Sequence, residues 1–292
     1  MGYGAFTAKS YAAYNTSMAS VDGRSYDDFT GRVVNQTFTS RSIDEALDPK
    51  KFKVRECVNS KEHPNTVPVI LALDVTGSMG GACSETAAAL GNIITNLYEK
   101  FEDIEFCIMG IGDLAYDRAP IQMSQFESDV RIAEALDKVY IEHGGGGNNF
   151  ESYTAAWYMG LKRTKLDCFD KQNRKGIIIT MGDEPLNPYL PVRKLNDAID
   201  SSEQSDVETP ELFKQASEKF DIFHIAVDDD ETSYRSYKKY IEESFGKLLG
   251  DRYKVSTINT LAKTIEDCIT EAIQRQVSPA VQTTNEKGEI KW

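Results

Sequence analysis

The residues best placed to do chemistry lie in ALDVTGSMGG, residues 72–81, where Asp74, Thr76 and Ser78 are spaced by two. Alternate side chains of an extended segment point the same way, so one carboxylate and two hydroxyls converge on one point. Three oxygens of that kind suit a hard cation. Mg²⁺ is the first choice because it takes oxygen ligands and keeps several waters, with Mn²⁺ or Ca²⁺ as substitutes. Gly77, Gly80 and Gly81 allow a tight backbone around the triplet. The bland alternative is an ordinary strand-to-helix turn capped by Ser or Thr. A second acidic strand end, Asp183, must then be a coincidence as well.

Other chemistries fit less well. Thr76 stands where a G-x-S-x-G elbow around Ser78 needs its first glycine. The glycine run 144–147 lacks the Gly-Lys-Ser/Thr ending of a phosphate-binding loop. Phosphatases of the haloacid-dehalogenase type need a second aspartate two residues after the first, and Thr76 occupies that place. Cys83 would sit at a helix start, where a thiolate is stabilised, but no histidine is near it in sequence. Asp228-Asp229-Asp230-Glu231 lacks the glycine and terminal glutamate of a calcium loop and reads as an acidic helix start. Metal-assisted hydrolysis by Asp74, Asp183 and Glu184 is the enzymatic alternative.

Elements that must position these residues follow from the apolar pattern. VPVILALD (67–74) is a nearly continuous apolar run ending in an acid, as a strand buried on both faces would be. IEFCIMGIG (104–112), KGIIITMGD (175–183) and FDIFHIAVD (220–228) repeat it. Ala87, Leu90, Ile93, Ile94, Leu97 and Phe101 have helical spacing. Further helices are predicted over 129–140, 151–163, from Thr209-Pro210-Glu211, through about Leu249, and over 261–275, with a short strand at 253–256. Residues 1–66 show little sustained periodicity, apart from a short helix at Ser42 to Leu47. Residues 277–292 read as a loose tail. This alternation predicts an α/β fold: a doubly wound, mostly parallel central sheet flanked by helices over 67–276, with residues 1–66 as an extension packed on it. Open sheets of this kind bind ligands at the carboxyl ends of their strands, where Asp74, Asp183, Asp228 and, just beyond its strand, Asp113 collect.

The segment around Asp74 resembles the metal-ion-dependent adhesion site of von Willebrand factor A (VWA) domains, whose first element is D-x-[ST]-x-S. The resemblance spans roughly 67–276. The family's aspartate after a later strand matches Asp183 in IIITMGDEP. The intervening loop, HGGGGNNFESY (143–153), has no threonine and is more similar to the subgroup reading Gly-Gly-Gly-Asp-x-Pro-Glu, which puts Asn148 at the acidic position and Glu151 at the glutamate. The resemblance implies a divalent cation with direct ligands Thr76 and Ser78. Asp74 and Asp183 would hold coordinated waters, and Asn148 would ligate or position a water. A partner's Asp or Glu carboxylate would complete the shell. Relatives of intracellular bacterial and phage type act as adaptors for AAA+ ATPases or as subunits of complexes, and in some relatives the last helix, here 261–275, shifts on ligation.

Composition narrows the setting. With 33 Lys and Arg against 46 Asp and Glu, the net charge is −13, the wrong sign for nucleic acid or an anionic membrane. Five scattered cysteines without a CxxC fit neither a disulfide framework nor a zinc site. No apolar run approaches a membrane span, and no signal-peptide pattern is visible. The expectation is therefore a cytoplasmic, non-enzymatic, metal-dependent interaction protein. The alternatives are a hydrolase at the same acidic site and a structural protein with a vestigial one.

Overall fold

The apolar runs become the centre of one sheet. The computed structural model describes residues 6–22, 25–27, 32–34, 42–79, 93–101, 103–142, 150–230 and 232–277. In chain order come α1 (Ala8–Asp22), the antiparallel pair β1 (Ser25–Asp27) and β2 (Arg32–Val34), β3 (Arg55–Cys57), β4 (Val67–Asp74), β5 (Ile104–Ile111) and β6 (Ile121–Met123). Then follow α2 (Arg131–Asp137), α3 (Thr154–Arg163), β7 (Thr164–Leu166), α4 (Asp167–Asp170), β8 (Gly176–Gly182), β9 (Tyr189–Leu190), α5 (Val192–Ile199) and β10 (Val207–Glu208). The last are α6 (Thr209–Lys219), β11 (Phe220–Val227), α7 (Tyr234–Leu249), β12 (Tyr253–Ser256) and α8 (Ile258–Val277).

Six strands pair in the order β12-β11-β8-β4-β5-β6. All pairs are parallel except the edge strand β6, which runs antiparallel to β5. The period-two geometry of a strand splits β4 between two cores. Val69, Leu71 and Leu73 pack with Ile93, Leu97 and Ile265 on one face, while Ile70 and Ala72 pack with Trp157 and Ile222 on the other. Both faces are covered, which is why the run is apolar without alternation. From β4 the chain moves outward to β5 and β6. It returns on the other side of β4 as β8, then continues to β11 and β12. The order reverses between β4 and β8, so their carboxyl ends flank the crevice of this doubly wound α/β sheet.

Several elements differ from the sequence-based expectation. Residues 8–22, expected to lack regular structure, form α1. Its Ala- and Ser-rich sequence gives little one-sided apolar pattern, and the helix is fixed instead by its surroundings. Phe6 is buried in the core, its amide donates to the Ser128 carbonyl at 2.8 Å, and Tyr14 Oη donates to Asp137 at 2.6 Å. The helix expected at Ser42 to Leu47 is a turn followed by one 3-10 turn at Pro49–Lys51. There the Asp44 and Asp48 carboxylates accept the Ala46 and Lys50 amides, a local alternative to helix bonds. The helices expected at 129–140 and 151–163 are shorter, at 131–137 and 154–163. The edge strand β6 and helix α5 went unpredicted. Residues 42–66 are tied to the remainder at several points, among them the parallel pairing of β3 with β7 and the Leu47 carbonyl, which accepts the Met123 amide at 2.9 Å. Among the described residues no helix is long and apolar enough to cross a membrane.

Candidate metal site at the sheet edge

Asp74 is the last residue of β4, and its burial forces its oxygens to find donors. Its Oδ1 accepts both the Thr76 amide at 2.9 Å and the Thr76 hydroxyl at 2.6 Å, an Asx-type turn that swings the chain away from the sheet. The turn continues into a 3-10 turn, Gly77–Met79, with the Met79 amide on the Thr76 carbonyl at 3.1 Å and the Met79 side chain buried. Because the Thr76 proton points to Asp74, the lone pairs of the Thr76 oxygen are left for a cation. Ser78 is half-buried on the same turn.

Asp183 directly follows β8, across the crevice. Its Oδ2 accepts the Ser233 amide at 2.6 Å, just ahead of α7, where the helix dipole favours a negative charge. The Ser78 hydroxyl lies beside this carboxyl and favours its charged form, yet closes no hydrogen bond on Oδ1, which is buried and unpartnered. Burial nonetheless raises the Asp183 pKa above its ordinary value. Asp74 is pushed up to about 8, first by burial and then by the nearby Asp183.

Tyr153, absent from the sequence-based site, links the two. Its hydroxyl donates to Asp74 Oδ2 at 2.7 Å and accepts the Glu184 amide at 3.3 Å. Gly182 makes room for it: a Cβ there would stand 1.9 Å from the Tyr153 oxygen. Further acids close in around them. Glu151 is buried with Oε2 unpartnered, and burial, then Asp74 and Glu184, push it to about 11. Glu184 is raised to about 7, first by burial and then by Asp183, Asp113 and Asp117, with no basic group acting on it. Asp113 is buried with Oδ2 unpartnered, while its amide donates to Asp117 Oδ2 at 2.7 Å, and burial raises the Asp117 pKa to about 6. The expected border residue Asp113 thus belongs to the same acidic surround.

The structure brings Asp74, Thr76, Ser78 and Asp183 together at one sheet edge. Asn148 and Cys83 lie outside the described residues. Among the described residues no three His, Cys, Asp or Glu side chains converge as a metal-ligand set by themselves. The donor set here is mixed, two carboxylates with two hydroxyls, and it fits a hard cation. Orphaned Asp183 Oδ1 provides an oxygen and the hydroxyls provide lone pairs, and the raised pKa values of the surrounding acids show a site that disfavours their charged forms. Sequence alone signalled the contiguous triplet. Tyr153 had only a weak signal, a tyrosine two residues after Glu151 at a helix start.

No family model matches the chain, and no curated protein does. Among solved structures, it is similar to the pilus adhesin SpaC of Lactobacillus rhamnosus GG in an open conformation, at 12% identity and a TM-score of 0.49. That match covers 75% of this chain and 31% of the adhesin. It is also similar to the vWF domain of the type V pili tip protein Mfa5 of Porphyromonas gingivalis, at 13% identity and a TM-score of 0.42 over 77% of this chain and 98% of that domain. The chain spans about a third of the length of the adhesin it matches.

Proposed function

We propose that this chain is a VWA-type interaction module whose Mg²⁺ links it to a protein partner. Thr76 and Ser78 ligate the ion directly, Asp74 and Asp183 hold its waters and orient the hydroxyls, and Asn148 serves as a further ligand or positions a water. An Asp or Glu carboxylate from the partner completes the shell. Neutral direct ligands leave the ion electrophilic, which favours an anion from outside. The observation that carries this reading is the buried, unpartnered Oδ1 of Asp183 beside the fully buried Asp74, at the point where strand order reverses.

The module is non-enzymatic in this reading. Its setting is the cytoplasm of a bacterium or that of a phage-infected cell, and four buried free thiols at Cys57, Cys107, Cys168 and Cys268 support a reducing compartment. Service as an adaptor or subunit of an AAA+ ATPase complex follows from family analogy alone. Calorimetric titration with Mg²⁺ and Mn²⁺ tests the site. The expected result is saturable binding of about one ion per chain, lost in Asp74→Ala and Ser78→Ala. Binding that survives both changes would sink the proposal. Turnover of phosphate or peptide substrates by the loaded protein would transfer the site to hydrolysis.

A further inference from the structure

A cleft lies at the other end of α3. That helix has 10 residues, about 15 Å at 1.5 Å per residue. It starts beside Tyr153 and ends in Lys162 and Arg163. Those two side chains, with Lys50 and Lys53 from the turn before β3 and Ser201 and Ser202 after α5, line a cleft of about 650 Å³. The volume falls within the range of small-molecule sites. In a chain of net charge −13, a cleft with four cationic side chains is a departure that needs a cause, because like charges held close repel.

Arg163 already has a structural task. Its guanidinium donates to the Phe52 carbonyl at 3.3 Å and the Ile199 carbonyl at 2.8 Å, clamping the two loops that form the walls. Glu203, one of the two acids in the cleft, accepts the Tyr158 hydroxyl at 2.6 Å. The ammonium groups of Lys50, Lys53 and Lys162 form no ion pair or hydrogen bond among the described residues. The Ser201 hydroxyl donates to Asn196 Oδ1 at 2.7 Å. The cleft therefore offers ammonium point charges and the Ser202 hydroxyl, while its planar guanidinium fork is occupied. An arginine fork matches carboxylate and phosphate alike, and lysine ammonium groups bind phosphate as point charges. A phosphate group, with more negative charge than a carboxylate, gains most from three free ammonium groups.

We infer that this cleft binds a phosphate-bearing small molecule, independently of the metal site. Calorimetry on the full chain at low salt with chelator present, using inorganic pyrophosphate and ATP as probes, tests it. Saturable binding of either probe is expected, weakened about tenfold or more in Lys53→Ala/Lys162→Ala and unchanged in Asp74→Ala. The ratio of the two affinities separates recognition of bare phosphates from recognition of a nucleotide. Both lysines are exposed, so an unchanged thermal unfolding curve will show that the double variant is folded. Absence of saturable binding, or binding that the double variant retains in full, overturns the inference.

Discussion

The Tyr153 hydroxyl, donating to Asp74 at 2.7 Å and accepting the Glu184 amide at 3.3 Å, fixes one strand-end carboxylate and the backbone beside the other. Tyr153→Phe keeps the packing and removes both bonds. A lost partner of a metal-orienting carboxylate typically lowers affinity by about 10–100-fold, and that is the expected loss for Mg²⁺ by calorimetry, with a stability cost of about 1–2 kcal/mol. Affinity equal to the wild type would deny Tyr153 a positioning role. Gly182→Ala attacks the same contact from the other side. Its Cβ would overlap the phenol of a fully buried ring, so a destabilisation of about 1–3 kcal/mol in urea unfolding is expected. At this scale the sequence revealed Asp74, Thr76 and Ser78 because the turn that gathers them is contiguous. The contribution of Tyr153, and the closeness of buried Glu151 to half-buried Glu184, depend on packing between α3, β4 and β8, whose sequence separations carry no local signal.

Helix α3 shows how an element is held for its task. Its last carbonyls lack helical partners. The buried Lys219 Nζ donates to those of Gly160 at 3.2 Å and Leu161 at 3.4 Å and, just beyond the helix, to that of Thr164 at 2.7 Å, while the Thr164 hydroxyl also donates to the Gly160 carbonyl at 2.5 Å. Lys219→Met should destabilise the fold by about 2 kcal/mol, read from the urea midpoint, with Mg²⁺ affinity unchanged. A loss below about 0.5 kcal/mol would mean that water replaces the ammonium. Strand β5 carries the opposite problem. Glu105 is buried with Oε2 unpartnered, and burial pushes its pKa from 4.5 to about 7, with the Cys57 thiol and His63 opposing the rise. Between those values the folded chain holds a proton that the unfolded chain has released. Its stabilising share is therefore complete below pH 4.5 and is lost as pH rises through about 7. The loss is about 3 kcal/mol. Urea midpoints should fall less between acid and neutral pH in Glu105→Gln than in the wild type, and parallel pH curves would refute this. The long strands were legible because each is an apolar run buried on both faces. Helix α1 and edge strand β6 were not, since the first is fixed by Phe6 and Tyr14 reaching distant partners and the second has three residues only.

Across the whole molecule, a net charge of −13 and the acids gathered at one sheet edge, whose charged forms burial disfavours, work against folding, and a bound cation would offset them. An ion that binds the folded chain and not the unfolded one stabilises it by RT ln(1 + [L]/Kd), about 2.7 kcal/mol at a hundred times Kd. For a domain of this size that is a rise in Tm of about 5 °C. Simple screening of the net charge would also raise Tm with any salt, so the two effects must be separated. Mg²⁺ should raise Tm in the wild type well beyond NaCl of equal ionic strength. In Asp74→Ala and Ser78→Ala, Mg²⁺ should do no more than the NaCl does. A matching rise in the variants would assign the effect to general screening, and the buried oxygen of Asp183 would need another partner. A rise confined to the wild type would tie the ion to the turn at β4, because Ser78→Ala leaves the net charge unchanged and removes only a hydroxyl ligand.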